Sequence, residues 1–178
     1  MGQVPDGSIT LVETLEDVAA LVFPEGTPLA FLTQTTLSVD DTREIVAALR
    51  ARFPDISGPR AEDICYATSN RQAAVKAIAP RCQMVLVIGA PNSSNSLRLV
   101  EVAEREGSRA RLIQRASEIE PGWLDDVTTL GLTAGASAPE LLVREVVERL
   151  RGWRAVTEET VVSAEEHMVF KLPRQLVG

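Results

Sequence analysis

Short aliphatic runs alternate with helically patterned stretches along most of this chain. The runs at residues 8–12, 28–32, 84–88, 110–113, 127–132 and 168–172 are bounded by turn formers, which predicts strands. Between them, apolar residues recur every three or four positions. Over 42–53, Ile45, Ala48, Leu49 and Phe53 share a face, Asp41 with Glu44 has capping-box spacing, and Pro54 stops the helix. Over 71–79 the stripe is Ala74, Val75 and Ile78, ended by Pro80. Over 97–106 it is Leu99, Val100 and Ala103, with Gly107 suited to the C-terminal cap. Over 139–151 it is Leu142, Val143, Val146, Val147 and Leu150, with Pro139 fitting the first turn. This alternation predicts an α/β fold with parallel or mostly parallel sheets flanked by helices. The Pro-, Gly- and charge-rich stretch 53–63 reads as a connection. It divides the chain into one α/β unit at 1–61, a second at 62–152, and a tail at 153–178 with a final strand.

Three predicted strands run into loops crowded with hydroxyls and amides, each followed by a helix. They carry Thr33-Gln34-Thr35-Thr36 with Ser38, Asn92-Ser93-Ser94-Asn95-Ser96, and Thr133-Ala134-Gly135-Ala136-Ser137-Ala138-Pro139. In an open α/β sheet such loops lie at the carboxyl ends of the strands, where ligands bind. The following helix adds free N–H groups and a positive dipole end. A helix cap needs one Ser or Asn; five polar residues in a row at 92–96 exceed that need and point to ligand binding. The small residues of 133–139 serve either a tight turn or the close approach of a ligand, and the Thr33–Thr36 cluster serves either cap or site. Neutral donors throughout suggest a small oxygen-rich anion.

Composition narrows the classes. Of 178 residues 45% are apolar and only 4% aromatic, so Val, Leu, Ile and Ala build the core. A formal charge of −7 without a basic cluster argues against nucleic acid. The longest apolar run, 84–90, is too short for a membrane span. The opening residues MGQVPDGS lack the regions of a signal peptide.

Two cysteines, Cys65 and Cys82, form no CxxC, and the single histidine, His167, lies in the tail far from every loop. A disulfide framework is not expected, and a reduced, cytoplasmic setting is. Cys65 precedes a predicted helix, whose N-terminus favours a thiolate able to act as nucleophile or metal ligand; the alternative is a small buried residue. Cys82 reads as structural. The pairs Asp40-Asp41 and Asp125-Asp126 read as solvated caps and turns.

The stretches TQTTLSVDDT (33–42), DICYATSNRQ (63–72), NSSNS (92–96) and TAGASAP (133–139), in this order and spacing, resemble the LytB family of 4-hydroxy-3-methylbut-2-enyl diphosphate reductases. The resemblance covers nearly the whole chain. It implies a trefoil of three α/β domains around a 4Fe–4S cluster, of which this chain corresponds to the third domain and part of the second. Carried over, Cys65 looks like one of three cysteine cluster ligands. Ser93, Asn95 and Ser137 look like diphosphate ligands, with Ser94 and Thr68 close by. Thr35 looks like the threonine that serves the substrate hydroxyl and is the one catalytic candidate. The implied reaction is reductive dehydroxylation of the diphosphate substrate to isopentenyl and dimethylallyl diphosphates, with electrons from ferredoxin or flavodoxin. The family protein is longer, and its other cysteines, histidines and catalytic glutamate correspond to positions upstream of Met1. The expectation is therefore a portion inactive alone, self-associating through apolar surface meant for a neighbour. Two other readings stay open: a non-redox α/β module binding a phosphate compound, and a non-catalytic subunit.

Overall fold

The structure, a computed structural model, describes residues 5, 7–59 and 64–162. In chain order its main elements are α1 (Leu15–Ala20), α2 (Val39–Arg52), α3 (Tyr66–Ile78), β1 (Met84–Ile88), α4 (Ser94–Arg105), β2 (Arg109–Ile113), β3 (Leu130–Ala134) and α5 (Glu140–Arg151). All five residues of β1 are buried. β2 and β3 flank it, both parallel, in the order β2-β1-β3.

Successive strand residues face opposite sides, so β1 divides its side chains between two cores. Met84, Leu86 and Ile88 pack with Ile113, Leu124 and, from α5, Val146 and Leu150. Val85 and Val87 pack with Val75 of α3 and with Leu99, Val102 and Ala103 of α4. A parallel sheet covered on both faces is the α/β architecture that the alternation predicts.

Several expectations are corrected. Residues 8–12 form no strand, and residues 28–32 contribute only an isolated parallel bridge, Ala30 to Ser57. There Phe31 N donates to Ser57 O and Ser57 N to Leu29 O, each at 2.9 Å. An apolar run becomes a strand only where a neighbour satisfies its backbone groups. The strand expected at 127–132 lies instead at Leu130–Ala134. Val127 belongs to the turn before it: its N–H donates to Leu124 O at 3.1 Å, and its side chain joins the core beneath α5. The strand expected at 168–172 lies outside the described residues.

Helix starts also move, and side-chain caps set those of α2 and α4. α2 begins at Val39, with Ser38 Oγ accepting from Asp41 N at 3.3 Å, so Ser38 and not Asp41 is the cap. α3 begins at Tyr66 with Cys65 in the N-cap position. α4 begins at Ser94 behind Ser93. α1 is an addition, started by a capping box between Thr14 and Asp17.

Candidate functional site at the carboxyl edge of the sheet

Parallel strands put their carboxyl ends along one edge. There the loops after β1 and β3 are joined directly: Gly135 N donates to Ile88 O at 2.8 Å. Ser96, 1% exposed, fills the space between them, and a Cβ at either Gly89 or Gly135 would collide with its side chain. These two glycines answer a close approach rather than an unusual backbone angle.

Ser96 also organises Ser93. Ser96 N donates to Ser93 Oγ at 3.3 Å and Ser96 Oγ donates to the same atom at 3.0 Å. A hydroxyl has two acceptor positions and one proton. With both acceptor positions engaged, the Ser93 proton is left for an external acceptor. Ser93 caps the 12-residue α4, so that proton stands with the free N–H groups and positive end of a full helix. Asn95, in the first turn, is only 7% exposed, yet neither its amide nitrogen nor its oxygen has a hydrogen-bond partner. Leaving such a group unpaired costs about 1–3 kcal/mol, and native proteins keep few of them. Ser94 is exposed, and so is Ser137, on the turn where Ala138 N donates to Gly135 O at 3.0 Å. An open cleft of about 450 Å³ touches Gly89, Ala90, Gln114, Arg115, Ser137 and Ala138; of the candidate residues it takes in only Ser137.

The loop bearing Thr35 reaches this edge through α3. Thr35 is exposed, and its carbonyl accepts from Cys65 N at 3.1 Å. From α3, Arg71 Nε donates to Ala134 O at 3.2 Å and Nη1 to Ala67 O at 3.2 Å. That guanidinium clips the helix to the end of β3. A continuous path of contacts therefore runs from Thr35 through Cys65, α3 and Arg71 to Ala134 and Gly135, and on to Ser96 and Ser93. Thr68, also singled out by the motif, is buried at 3% exposure in the first turn of α3.

Cys65 is an exposed free thiol that makes no cap hydrogen bond. Cys82 follows the opposite end of α3, against Gly131, and burial pushes its thiol up. Thirteen helical residues span roughly 20 Å, so these two sulfurs cannot serve one centre. Among the described residues no three His, Cys, Asp or Glu side chains are grouped to hold a metal ion. His167 lies outside the described residues.

Sequence reasoning singled out neither Arg71 nor Gln72, and took Ser96 only as one member of the polar run 92–96. All sit inside the quoted motifs, which was the available signal. Their contacts join segments tens of residues apart, which spacing along the chain does not reveal.

Residues 1–151 match the family described as LytB protein. The chain is 60% identical over 177 residues to the 4-hydroxy-3-methylbut-2-enyl diphosphate reductase of Ruegeria pomeroyi, covering 99% of this chain and 56% of that protein. Against the protein of the same name from Hyphomonas neptunium it is 59% identical over 179 residues, covering 100% and 57%. The E-1-hydroxy-2-methyl-but-2-enyl-4-diphosphate reductase of Plasmodium falciparum superposes with a TM-score of 0.84 at 33% identity, over 93% of this chain and 53% of that one. This chain thus spans just over half the length of the relatives it matches. With its α/β fold, its polar strand-end loops and a match across 1–151, the chain belongs to the LytB protein family.

Proposed function

We propose that this chain is the diphosphate-binding, single-thiolate portion of an iron–sulfur reductase acting on 4-hydroxy-3-methylbut-2-enyl diphosphate. The observation that carries this reading is Asn95: a buried amide with no partner, in the first turn of α4, next to a Ser93 hydroxyl prepared to donate. A diphosphate oxygen accepts from Asn95 Nδ2 and from the Ser93 hydroxyl, and Asn95 Oδ1, an acceptor, is left for a donor other than the phosphate. Ser137, on the facing loop, adds a third neutral donor, and Ser94 stands beside them. Thr35, tethered to Cys65, lies at the thiol end of the same edge and serves the hydroxyl end of the substrate. Its relatives carry the reductase name, which supports this assignment.

A 4Fe–4S cluster fits these residues only in part. Cys65 offers one exposed thiol at the same edge, and a cluster of this type takes cysteine ligands at its other irons as well. The described residues do not complete such a set, so reductive turnover needs ligands from outside them. Ferredoxin or flavodoxin is the proposed electron donor. The division near residue 61, with the Thr35 loop on one unit and the anion cradle on the other, is likewise our reading. No helix of the described residues is long and apolar enough to cross a membrane.

The test is a titration of the chain with inorganic pyrophosphate, followed by amide chemical shifts. Saturable binding centred on Ser93, Asn95 and Ser137 is expected, with Asn95→Ala weakening it about tenfold or more, the worth of one hydrogen bond to a charged group. No saturable binding, or binding indifferent to Asn95→Ala, overturns the reading. The redox half is tested by adding, as a separate polypeptide, the part of the Ruegeria pomeroyi reductase that this chain does not match. Activity abolished by Cys65→Ser supports it. Diphosphate binding with no iron uptake in that mixture favours the non-redox phosphate-binding module.

A further inference from the structure

Gln72 lies on the second turn of α3, 2% exposed, and its side chain contacts neither the sheet nor the anion cradle through any hydrogen bond. Both ends of its amide instead engage the backbone of the Thr35 loop. Nε2 donates to Leu37 O at 2.8 Å, and Oε1 accepts from Val39 N at 3.1 Å. Leu37 and Val39 flank Ser38, the buried cap of α2. The Val39 N–H is one of the free donors that a helix N-terminus leaves unsatisfied. Gln72 thus does for this segment what a neighbouring strand does in a sheet, accepting from one N–H and donating to one C=O on alternate residues.

Other hydrogen bonds also hold the loop. Leu37 N donates to Gln34 O within it, at 3.4 Å, and Cys65 N donates to Thr35 O. Two of its external tethers, Cys65 at the N-cap of α3 and Gln72 on its second turn, lie seven residues or about 10 Å apart along one helix axis. Attachment at two points along one helix sets the register of this stretch against α3. Thr35 falls at the first tether, three residues before the cap of α2.

We propose that Gln72 is a positioning residue whose buried amide fixes the Thr35 loop on α3, so that Thr35 is held beside Cys65 to meet the hydroxyl end of a substrate whose phosphates sit at α4. This deepens the site reading given above and rests on it. It requires an amide at this position. Glu keeps the acceptor for Val39 N–H and, as a carboxylate, loses the donor to Leu37 O. Met keeps length and bulk and loses both.

Two measurements on the chain keep this proposal separate from the site reading. The first needs no ligand: amide hydrogen exchange. In Gln72→Met, the Val39 and Cys65 N–H groups exchange about tenfold or more faster, while the amides of β1 are unchanged; Gln72→Glu retains protection at Val39. Unchanged exchange at Val39 and Cys65 in Gln72→Met overturns the proposal. The second compares affinity for inorganic pyrophosphate with affinity for 4-hydroxy-3-methylbut-2-enyl diphosphate. Gln72→Met lowers the preference for the alcohol-bearing ligand about fivefold, with pyrophosphate affinity intact. Thr35→Val gives the same loss, and the double variant adds nothing further, since the two act as one unit. Equal loss for both ligands marks Gln72 as merely structural and overturns its positioning role, as do additive losses. If the wild-type chain shows no preference between the ligands, the link to Thr35 is overturned, whereas failure to bind pyrophosphate at all also overturns the site reading. Should Gln72→Met not fold, the ligand preference is read on Gln72→Glu, which loses only the Leu37 tether: a smaller loss of preference with pyrophosphate affinity intact is expected, and no loss, or equal loss for both ligands, overturns the proposal.

Discussion

The sheet region, 64–152, and the segment at 7–59 are built on different terms. In the former, Val85, Leu86, Val87, Ile88, Leu99 and Ala103 are all at 0% exposure. In the latter only Val18 and Leu49 are buried among the apolar residues, while Ile9, Leu11, Leu15, Val22 and Leu32 are between 48% and 85% exposed. The segment is held to the rest by directional polar contacts. Arg105 donates to Asp41 at 2.6 and 2.9 Å, Lys76 pairs with Asp40, Gln72 binds Leu37 and Val39, and Cys65 binds Thr35. Burial is non-directional and gives stability; hydrogen bonds and ion pairs give little net energy but strict geometry. The half of the site proposed to take up oxyanions therefore rests on the densely buried region. The Thr35 half is placed by contacts whose strength depends on solution conditions.

The contrast breaks first under core truncation. Leu99→Ala is expected to cost about 2–5 kcal/mol, the range for a fully buried leucine. Leu49→Ala, at 7% exposure on α2, should cost less than half as much. Chemical denaturation gives both numbers, and equal costs would erase the distinction between the regions.

Glycine substitution at the strand ends comes next. Gly89→Ala and Gly135→Ala each drive a methyl into Ser96, an overpacking worth about 1–3 kcal/mol. The two differ in rescue. The added carbon at Gly135 lies 3.5 Å from Ser96 Cβ, an ordinary contact once the hydroxyl is gone, but at Gly89 the separation is 2.5 Å. Ser96→Ala should therefore restore thermal stability to Gly135→Ala and not to Gly89→Ala.

Acid should loosen the polar seam before the sheet. The hydrogen bonds from Arg105 hold the Asp41 carboxyl below the usual carboxylate range. Its folded value is lower than its unfolded one, so its contribution is present above the unfolded pKa, about 3.9, and fades as pH falls through the lower folded value. Because the pair is partly solvated, the effect is about 0.2–1 kcal/mol. Amide exchange in α2 should quicken in that window, with β1 unaffected. Asp41→Asn should remove the acid response, and molar salt should mimic it at neutral pH.

The smallest effect on stability belongs to the exposed apolar side chains. Val22→Ser and Leu32→Ser, at 85% and 82% exposure, should shift unfolding by under about 0.5 kcal/mol. They should nevertheless reduce self-association seen by light scattering, because each removes a large apolar side chain from the water-facing surface. A wild-type chain that is monomeric at high concentration would remove the reason for making them.

Elements buried on both faces were legible from local pattern. Met84–Ile88 reads as a strand because five consecutive apolar residues between turn formers have one economical use, and α4 and α5 read as helices because their stripes face a core that exists. Residues 8–12 and 28–32 look alike on paper and fail, because strand formation depends on a partner that local sequence does not name. Val127 misled for the same reason: its β-propensity was spent on burial at a turn.

The candidate site divides along the same line. Residue types and their order in the chain were enough to identify the family; the polar run after a buried strand pointed to Ser93, Ser94 and Asn95 by its chemistry, whereas Thr35, Cys65 and Ser137 were marked through the family resemblance. That Ser96 turns Ser93 into a donor, that Arg71 clips α3 to β3, and that Gln72 carries the Thr35 loop emerged only in three dimensions. Each of those jobs depends on distance and direction between atoms from separate segments, and such geometry comes into being only when the strands align and the helices close over them.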